Sequence, residues 1–281
     1  MTGWLRHTRR CTTHFTPLGT SPPKRMAKNR LDRELVARGL APTRGRAQTM
    51  ITAGRVSVDG RPAGKPAELV EESADIHAMD DGYVSRAAHK LAGALDDLGL
   101  AVGGRALDAG SSTGGFTQVL LERGCAEVTC VDVGTDQLAP LLRSDARVRV
   151  WEQTNLRDLT LAHVGGVPVD LTVADVSFIS LTLLLEPLAA VTAAAGSMLL
   201  MVKPQFEVGR ELLGKGGVVR DPRQHRRAVA GVLASAAQAG WQPRAASPSR
   251  LPGPAGNREF FVWLTMAGSG DGLDLDALVA P

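Results

Sequence analysis

Cysteine is scarce in this chain, since only Cys11, Cys125 and Cys130 occur among its 281 residues. None of the three forms a CxxC pair, and none lies at a zinc-like spacing from histidine. The sequence therefore predicts neither a disulfide framework nor a metal site. Such sparing use of cysteine is typical of a protein in a reducing cytoplasm.

The chain also lacks an uninterrupted apolar run that could cross a membrane, which takes about 20 residues. Its most apolar stretch runs from Leu181 to Val202, but Glu186 and Pro187 interrupt it and Gly196 divides it. We expect a buried helix followed by a buried strand there. No association with a membrane is predicted.

Acidic residues are missing from residues 1–25, which contain several Arg and Lys, two consecutive prolines and no apolar periodicity. This composition predicts a disordered basic arm over residues 1–28. An organellar transit peptide is also rich in Arg and poor in acids. The arm shows no amphipathic helix, however, and Met26 lies just before the first folded-looking residues, which favours an upstream extension from a misassigned start codon.

Acidic residues stay rare up to residue 66, where Asp32, Glu34 and Asp59 are the only ones, whereas the rest of the chain is acidic on balance. The formal net charge of +3 conceals this asymmetry. Such a split indicates a basic module that meets a polyanion, joined to a more acidic globular body. A solvated basic tail in a chain with a general arginine bias is the alternative.

The basic module has helical periodicity in residues 30–39 and 43–53, followed by Val56, Val58 and a turn at Asp59-Gly60 that indicate a short hairpin. Three segments carry a resemblance: Arg30-Leu-Asp-Arg-Glu-Leu-Val, Thr43-Arg-Gly-Arg-Ala and Ile51-Thr-Ala-Gly-Arg-Val-Ser-Val-Asp-Gly-Arg. Together they resemble the RNA-binding domain named after ribosomal protein S4.

That resemblance places an S4-like domain and linker at residues 29–80 and implies contact with structured RNA through its backbone and shape. Arginine is suited to such contacts because its planar guanidinium pairs with phosphate through two hydrogen bonds. A helical protein-interaction module with a basic face is the alternative. The residues predicted to bind RNA are Arg30, Arg33, Arg44, Arg46, Arg55, Arg61 and Lys65.

The strongest local motif in the rest of the chain is Arg105-Ala-Leu-Asp-Ala-Gly-Ser-Ser-Thr-Gly-Gly-Phe. An apolar strand ends near Asp108, a glycine-rich turn follows, and a helix begins near Gly115. This is how an α/β fold presents a tight backbone turn and a helix N-terminus to a cofactor. The turn is not GxGxxG, so a dinucleotide pyrophosphate fits it poorly. Asp132, in the next predicted strand, is placed to bind a ribose hydroxyl.

The acid before the glycines favours S-adenosylmethionine as the cofactor, because a carboxylate would repel a pyrophosphate but attract a sulfonium. Asp158 is expected to reach the adenine and Phe178 to pack against the cofactor, although both could be ordinary capping or core residues. The predicted cofactor-binding residues are Asp108, Gly110, Ser111, Thr113, Gly114, Gly115, Phe116, Asp132, Asp158, Asp175 and Phe178.

Four widely spaced polar residues are predicted to meet in one crevice, because ligands of open α/β sheets bind at the carboxyl ends of strands. Methylation of a ribose 2′-hydroxyl requires a group that accepts its proton. A lysine can do this if burial and a second ammonium lower its pKa. The four predicted catalytic residues are Lys90 in a helix at 86–98, Asp175 and Lys203 at the ends of strands 170–175 and 197–202, and Glu259 at the start of strand 259–265.

In order along the chain, these four residues are similar to the Lys-Asp-Lys-Glu tetrad of FtsJ-like 2′-O-ribose methyltransferases. Residues 29–266 as a whole resemble the TlyA, or haemolysin A, family. The motifs that carry this resemblance are Tyr83-Val-Ser-Arg-Ala-Ala-His-Lys-Leu, Asp175-Val-Ser-Phe-Ile-Ser, Val202-Lys-Pro-Gln-Phe-Glu and Gly256-Asn-Arg-Glu-Phe.

The resemblance implies a doubly wound, Rossmann-like methyltransferase domain at residues 81–268, with a seven-stranded, mostly parallel sheet, after the small α+β domain. A flexible tail is expected at residues 269–281. The implied activity is S-adenosylmethionine-dependent cytidine 2′-O-methylation of 16S and/or 23S ribosomal RNA, within ribosomal subunits, by a cytoplasmic monomer. Lys203 matches the family's central catalytic lysine.

The segment from Gln205 to Arg223 is rich in glycine and is predicted to be a lid over RNA, with a floppy connection as the alternative. The following helix, residues 222–239, offers Arg223, His225 and other cations to phosphate.

Two further functions are alternatives to RNA methylation. A membrane-active haemolysin would need a signal peptide or an amphipathic membrane helix, and neither is apparent. A non-catalytic ribosome assembly factor would not need the intact tetrad.

Overall fold

The structure is a computed structural model, and it describes residues 28–41, 43–52, 54–78, 82–267 and 272–280. The predicted basic arm therefore lies outside the described residues, apart from Lys28. Within the described ranges no helix is long and apolar enough to span a membrane. The same ranges contain no cluster of His, Cys, Asp or Glu that could hold a metal ion.

The small N-terminal domain packs two helices and short strands around an apolar core that includes Leu31, Leu35, Met50 and Ile51. The predicted helices and hairpin are present. Its elements are β1 (Lys28–Arg30), α1 (Leu31–Ala37), α2 (Arg44–Thr52), β2 (Val56–Val58), β3 (Arg61–Pro62), β4 (Leu69–Glu71) and β5 (Ile76–Ala78).

The larger domain alternates strands and helices, which confirms the predicted α/β class. Short 3-10 helices occur at residues 156–158, 161–164, 181–183, 210–212 and 215–217. The main elements are α3 (Arg86–Leu98), β6 (Arg105–Ala109), α4 (Gly115–Glu122), β7 (Glu127–Val131), α5 (Pro140–Arg143), β8 (Val148–Trp151), β9 (Val169–Ala174), α6 (Leu185–Val191), β10 (Thr192–Val202), α7 (Pro204–Glu207), α8 (Pro222–Gln238), β11 (Gln242–Pro248), β12 (Phe260–Thr265) and α9 (Leu275–Val279).

Among the described residues, seven strands form one sheet in the order β11-β12-β10-β9-β6-β7-β8. β12 pairs antiparallel with β10 and β11, and the remaining pairs are parallel. Both faces of the sheet are covered by apolar clusters. The strand order reverses between β6 and β9, and in doubly wound folds the ligand crevice lies at such a switch point.

Several boundaries differ slightly from those expected. Asp175 and Lys203 each follow the last residue of their strand, Asp132 follows β7, and Glu259 immediately precedes β12. The apolar stretch that begins at Leu181 forms a short 3-10 helix, α6 and β10, which confirms the predicted helix and strand. Their burial is partial, since α6 buries one face and β10 is fully buried only from Met198 to Val202. Each polar residue therefore lies in a loop at an end of the sheet rather than within a hydrogen-bonded strand.

The prediction of a flexible tail at residues 269–281 does not hold for the part of it that the structure describes, residues 272–280. There α9 packs on α8, and Val279 is buried in the core of the larger domain. Arg258 also donates hydrogen bonds to the carbonyl oxygens of Val279 and Ala280. A composition-based prediction misses this helix because its contacts are tertiary: Leu275, Leu278 and Val279 pack on a core built from distant parts of the chain.

A fully buried carboxyl group, that of Asp108, lies in β6 beneath the glycine-rich turn. The hydroxyl of Thr117 donates to its Oδ2 at 2.6 Å. Burial raises the pKa of Asp108 from 3.8 to about 7, because a low-dielectric environment disfavours the charged form. At neutral pH this group is therefore only partly ionised.

Replacement of this carboxyl group by a neutral amide, Asp108→Asn, should reduce the pH dependence of stability. Because the folded-state pKa is raised, the folded protein binds more protons than the unfolded chain between about pH 4 and pH 7. The free energy of unfolding should therefore fall as pH rises through this window, and Asn does not titrate. Thermal unfolding of both proteins at pH 5 and pH 8 measures the difference.

The matched control is Asp136→Asn, at a carboxylate that is 89% exposed, and it should keep the wild-type pH dependence. An Asp108→Asn protein whose unfolding responds to pH as the wild type does would contradict the assignment of a raised pKa to Asp108.

Candidate functional site

A cavity of about 580 Å³ opens at the carboxyl edge of the parallel strands. Its volume is within the range of sites for small molecules and cofactors. All four predicted catalytic residues line it: Lys90, Asp175, Lys203 and Glu259. The structure thus brings together side chains that are up to 169 positions apart in the sequence.

The first pair of charges joins α3 to the start of β12. The Nζ atom of Lys90 donates to Oε2 of Glu259 at 2.6 Å, and the two side chains are only 8% and 1% exposed. Gly253 packs against this carboxylate, since a Cβ atom on it would lie 2.5 Å from Oε1 of Glu259. An ion pair this well buried is held in one geometry, because separating the charges would leave each unpaired in a poorly solvated environment.

The second pair joins the loops that follow β9 and β10. The Nζ atom of Lys203 lies 2.6 Å from Oδ1 of Asp175, with side-chain exposures of 10% and 17%. This contact is an ion pair without the alignment of a hydrogen bond, since Oδ1 has no hydrogen-bond partner among the described residues. Nζ instead donates to the hydroxyl of Ser177 at 2.9 Å. The lysine is thus held on two sides and still lines the cavity.

The glycine-rich turn after β6 forms the neighbouring wall of the cavity. Gly110 has a φ of +85°, and a Cβ atom on it would lie 2.7 Å from the carbonyl oxygen of Asp175. A Cβ atom on Gly115 would collide with Oγ of Ser85 at the start of α3. Glycine is therefore required at both positions, so that the turn can approach the Asp175 loop and the helix that carries Lys90.

The predicted cofactor-binding residues divide into two groups. Six of them line the cavity: Gly110, Ser111, Thr113, Gly115, Phe116 and Asp175. The other five lie outside its lining: Asp108, Gly114, Asp132, Asp158 and Phe178.

Asp132 is the best placed of this second group to hold a ligand beside the turn. Its Oδ2 accepts from the backbone N–H of Ser112 at 2.8 Å, and its Oδ1 accepts from that of Gly134 at 2.7 Å. Asp158 lies exposed in a 3-10 helix after β8. Phe178 is 92% exposed and has a φ of +65°, and its ring lies 5.3 Å from that of Phe206. Burial in a core, the alternative considered for Phe178, is thus wrong.

Asp108 cannot discriminate between ligands by its charge in the way that the sequence suggested. Its carboxyl group is fully buried, accepts a hydrogen bond from Thr117 and is not part of the cavity lining. It therefore makes no direct contact with a ligand, and its charge cannot favour a sulfonium over a pyrophosphate. Its position places it under the turn, where it supports the start of α4.

The predicted RNA-binding cations of the small domain are only partly available. Arg30 and Arg44 pair with the buried carboxylate of Asp32, whose pKa the Arg30 hydrogen bond lowers. Arg46 donates to the carbonyl oxygen of Tyr83. Arg55 is buried. The remaining three cations, Arg33, Arg61 and Lys65, are exposed.

Helix α8 offers fewer phosphate contacts than its sequence suggested. His225 is buried and bonded to the carbonyl oxygen of Val219, so it cannot face RNA. Arg223 pairs with Asp221, and Arg226 pairs with Asp276 of α9. The prediction for His225 is therefore wrong, and its ring instead packs on β12.

Three residues at the site were not singled out from the sequence. Ser177 holds Lys203. Glu207 accepts from the hydroxyl of Ser180 at 2.5 Å and from the N–H of Leu181 at 2.9 Å, and burial raises its pKa. The third, Asn257, is buried two residues before Glu259. All three lie within the motifs quoted for the family resemblance, which was the available signal.

Comparison with known proteins agrees with this geometry. A model of the FtsJ-like methyltransferase family matches residues 83–266, and a model of the S4 domain matches residues 29–76. The chain is 50% identical over 239 residues to the 16S/23S rRNA (cytidine-2′-O)-methyltransferase TlyA of Mycobacterium tuberculosis, covering 84% of this chain and 89% of that protein. It is 33% identical to Hemolysin A of Brachyspira hyodysenteriae, covering 83% and 98%.

A solved structure of a candidate hemolysin from Streptococcus thermophilus superposes with a TM-score of 0.71 at 35% identity, covering 90% of this chain and 95% of that one. Family models, relatives and architecture therefore agree. The chain belongs to the TlyA family, in which an S4 domain precedes an FtsJ-like methyltransferase domain.

Proposed function

We propose that this protein transfers a methyl group from S-adenosylmethionine to the 2′-hydroxyl of a cytidine in ribosomal RNA. The observation that carries the proposal is the convergence of Lys90, Asp175, Lys203 and Glu259 on one cavity beside the glycine-rich turn. The relatives named as rRNA (cytidine-2′-O)-methyltransferases support the choice of nucleotide and of RNA.

The residues present fit S-adenosylmethionine. Gly110 and Gly115 line the cavity in a turn that packs tightly against the Asp175 loop and α3, and a tight glycine turn of this kind lets a ligand approach the backbone closely. Ser111 and Thr113 line the same space. Asp132 follows β7 at the adjacent strand end, where a carboxylate can accept hydrogen bonds from ribose hydroxyls. When bound, the cofactor supplies the electrophilic methyl group.

The side chains of the tetrad are proposed to remove the proton of the target hydroxyl. Lys203 is the proposed acceptor of this proton, after its Nζ atom has given up one of its own, as the 2′-oxygen forms its new bond to carbon. Asp175 and Ser177 hold its Nζ atom in place. Lys90 contributes a second ammonium to the cavity, and Glu259 keeps that ammonium fixed and charge-balanced. Burial of both pairs makes these charges act more strongly than they would in water.

Docking to RNA is the role proposed for the small domain. Arg33, Arg61 and Lys65 are exposed on it, and cations on such a surface bind the phosphate backbone irrespective of sequence. Helix α2 also borders the cavity, through Gly45, Gln48, Thr49 and Thr52. The proposed assembly is one monomer of this protein on one ribosomal subunit.

Removal of the proposed base, Lys203→Ala, should lower methyl transfer by at least about 100-fold, the usual contribution of a positioned base. The affinity for S-adenosylmethionine should change little, because the proposed cofactor contacts come from the glycine-rich turn and Asp132, and not from the side chain of Lys203. Transfer of radiolabelled methyl to purified, unmodified small and large ribosomal subunits measures turnover, and calorimetry measures cofactor binding.

Mapping the wild-type label to a ribose 2′-oxygen completes this experiment. If the wild type binds the cofactor and labels neither subunit, the proposed function is wrong. If Lys203→Ala loses cofactor affinity and turnover to the same extent, the side chain is not the base.

Substitution of the three exposed cations, Arg33, Arg61 and Lys65, by Ala should weaken RNA binding mainly at low salt. For every phosphate that the variant no longer binds, the slope of log affinity against log salt should become shallower by roughly 0.7 to 0.9. Filter binding over a range of potassium chloride concentrations gives the slope. Arg147→Ala is the matched control, since Arg147 is exposed before β8 at the opposite edge of the sheet. A slope that is equal in the triple variant and the wild type would contradict docking through these cations.

A further inference from the structure

The glycine-rich segment after the Lys203 loop is anchored at Val219 by two buried side chains. The backbone N–H of Val219 donates to Oδ1 of Asn257 at 2.9 Å. Its carbonyl oxygen accepts from Nε2 of His225, also at 2.9 Å. Both partners are almost completely buried, at 3% and 2% exposure. The predicted lid is therefore fixed to the body of the domain at this end.

Asn257 makes two further contacts, one to the glycine-rich segment and one to the loop that precedes it in the chain. Its Nδ2 atom donates to the carbonyl oxygen of Gly217 at 3.0 Å, and its own carbonyl oxygen accepts from the N–H of Gly253 at 2.9 Å. One residue thus joins the segment at residues 214–219 to the loop at residues 249–259. The separation of 40 positions between Asn257 and Gly217 makes this a tertiary link, not a local turn.

The loop that Asn257 holds forms part of the cavity wall. Pro252, Pro254 and Glu259 line the cavity. The N–H of Ser249 donates to the carbonyl oxygen of Glu259 at 2.8 Å, and Gly253 packs on the carboxylate itself. A displacement of this loop would therefore move Glu259, and with it the partner Lys90.

Both polar ends of the Asn257 amide are used, so no other side chain of similar size could substitute for it. Aspartate would keep the acceptor for Val219 but place an oxygen against the Gly217 carbonyl oxygen, and alanine would lose both bonds. Leaving buried backbone groups unpaired is costly, which favours movement of the two segments toward water.

We propose that Asn257 is a positioning residue for methyl transfer, which sets the location of Glu259 and Lys90 by tying the cavity loop to the anchored glycine-rich segment. Asn257 is not part of the cavity lining and acts through these neighbours. The inference rests on the proposed function and adds to it a residue beyond the tetrad.

The test compares Asn257→Ala and Asn257→Asp with the wild type. We expect kcat for ribosomal RNA to fall by about 10- to 100-fold, since misplacement of a catalytic group by about 1 Å can cost about 100-fold, while the KM for RNA and the affinity for S-adenosylmethionine stay within about 3-fold. In Asn257→Ala, hydrogen exchange at the Val219 amide should become faster because its side-chain acceptor is lost. Exchange at the Gly253 amide, which donates to the main-chain carbonyl oxygen of residue 257, should become faster because the loop that carries both groups is no longer tied to the glycine-rich segment.

Thr192→Val is the matched control, because the Thr192 hydroxyl makes buried hydrogen bonds to Thr172 and to the Leu188 carbonyl at the opposite edge of the sheet. It should lower the melting temperature without loss of kcat. An equal loss of kcat in this control would overturn the proposal, because destabilisation alone would then explain the effect. Wild-type kcat in both Asn257 variants would also overturn it.

Failure of this inference can be told apart from failure of the proposed function. If the wild type methylates no ribosomal RNA, the proposed function fails. The exchange measurement still tests the link in that case, since unchanged exchange at Val219 and Gly253 in Asn257→Ala would show that Asn257 does not couple the two segments.

Discussion

Pairing of two buried lysines with two carboxylates is the constraint on which the site depends. Lys90 lies in α3, and its partner Glu259 immediately precedes β12. Lys203 and its partner Asp175 follow β10 and β9, and the contact in each pair is 2.6 Å long. Loss of one partner would leave a charge without compensation in a poorly solvated cavity, and such charges are strongly destabilising. The strand order must therefore bring these four chain segments together before the charges can be buried.

The sheet meets this requirement through its topology. β9 and β10 are parallel neighbours, so their carboxyl ends place Asp175 and Lys203 side by side. β12 runs antiparallel to β10, and its start therefore lies at the same edge and carries Glu259. Helix α3 reaches this edge because Gly115 allows α4 to approach it closely. The glycine-rich turn is thus both a candidate cofactor wall and a packing requirement for Lys90.

Much of this was predictable from the sequence, because strand ends and a glycine-rich turn are local signals. The α/β class and the convergence of the tetrad follow from them. Burial depends on the whole fold and was not predictable: Asp108 lies beneath the turn, and His225 faces the core. Charge counting likewise could not show that Arg30 and Arg44 pair with Asp32 inside the small domain. The link from Asn257 to Val219 spans 38 positions and has no periodic signature.

The central claim is that the paired charges act as one unit in methyl transfer. A double-mutant cycle on Lys90→Met and Glu259→Gln tests it most directly, with single-turnover methylation of ribosomal RNA as the measurement. Each single variant should lose about 100-fold or more, and the double variant should lose no more than the worse single one, because groups that act as a unit are non-additive. Losses that multiply in the double variant, or a single variant with the wild-type rate, would contradict the account.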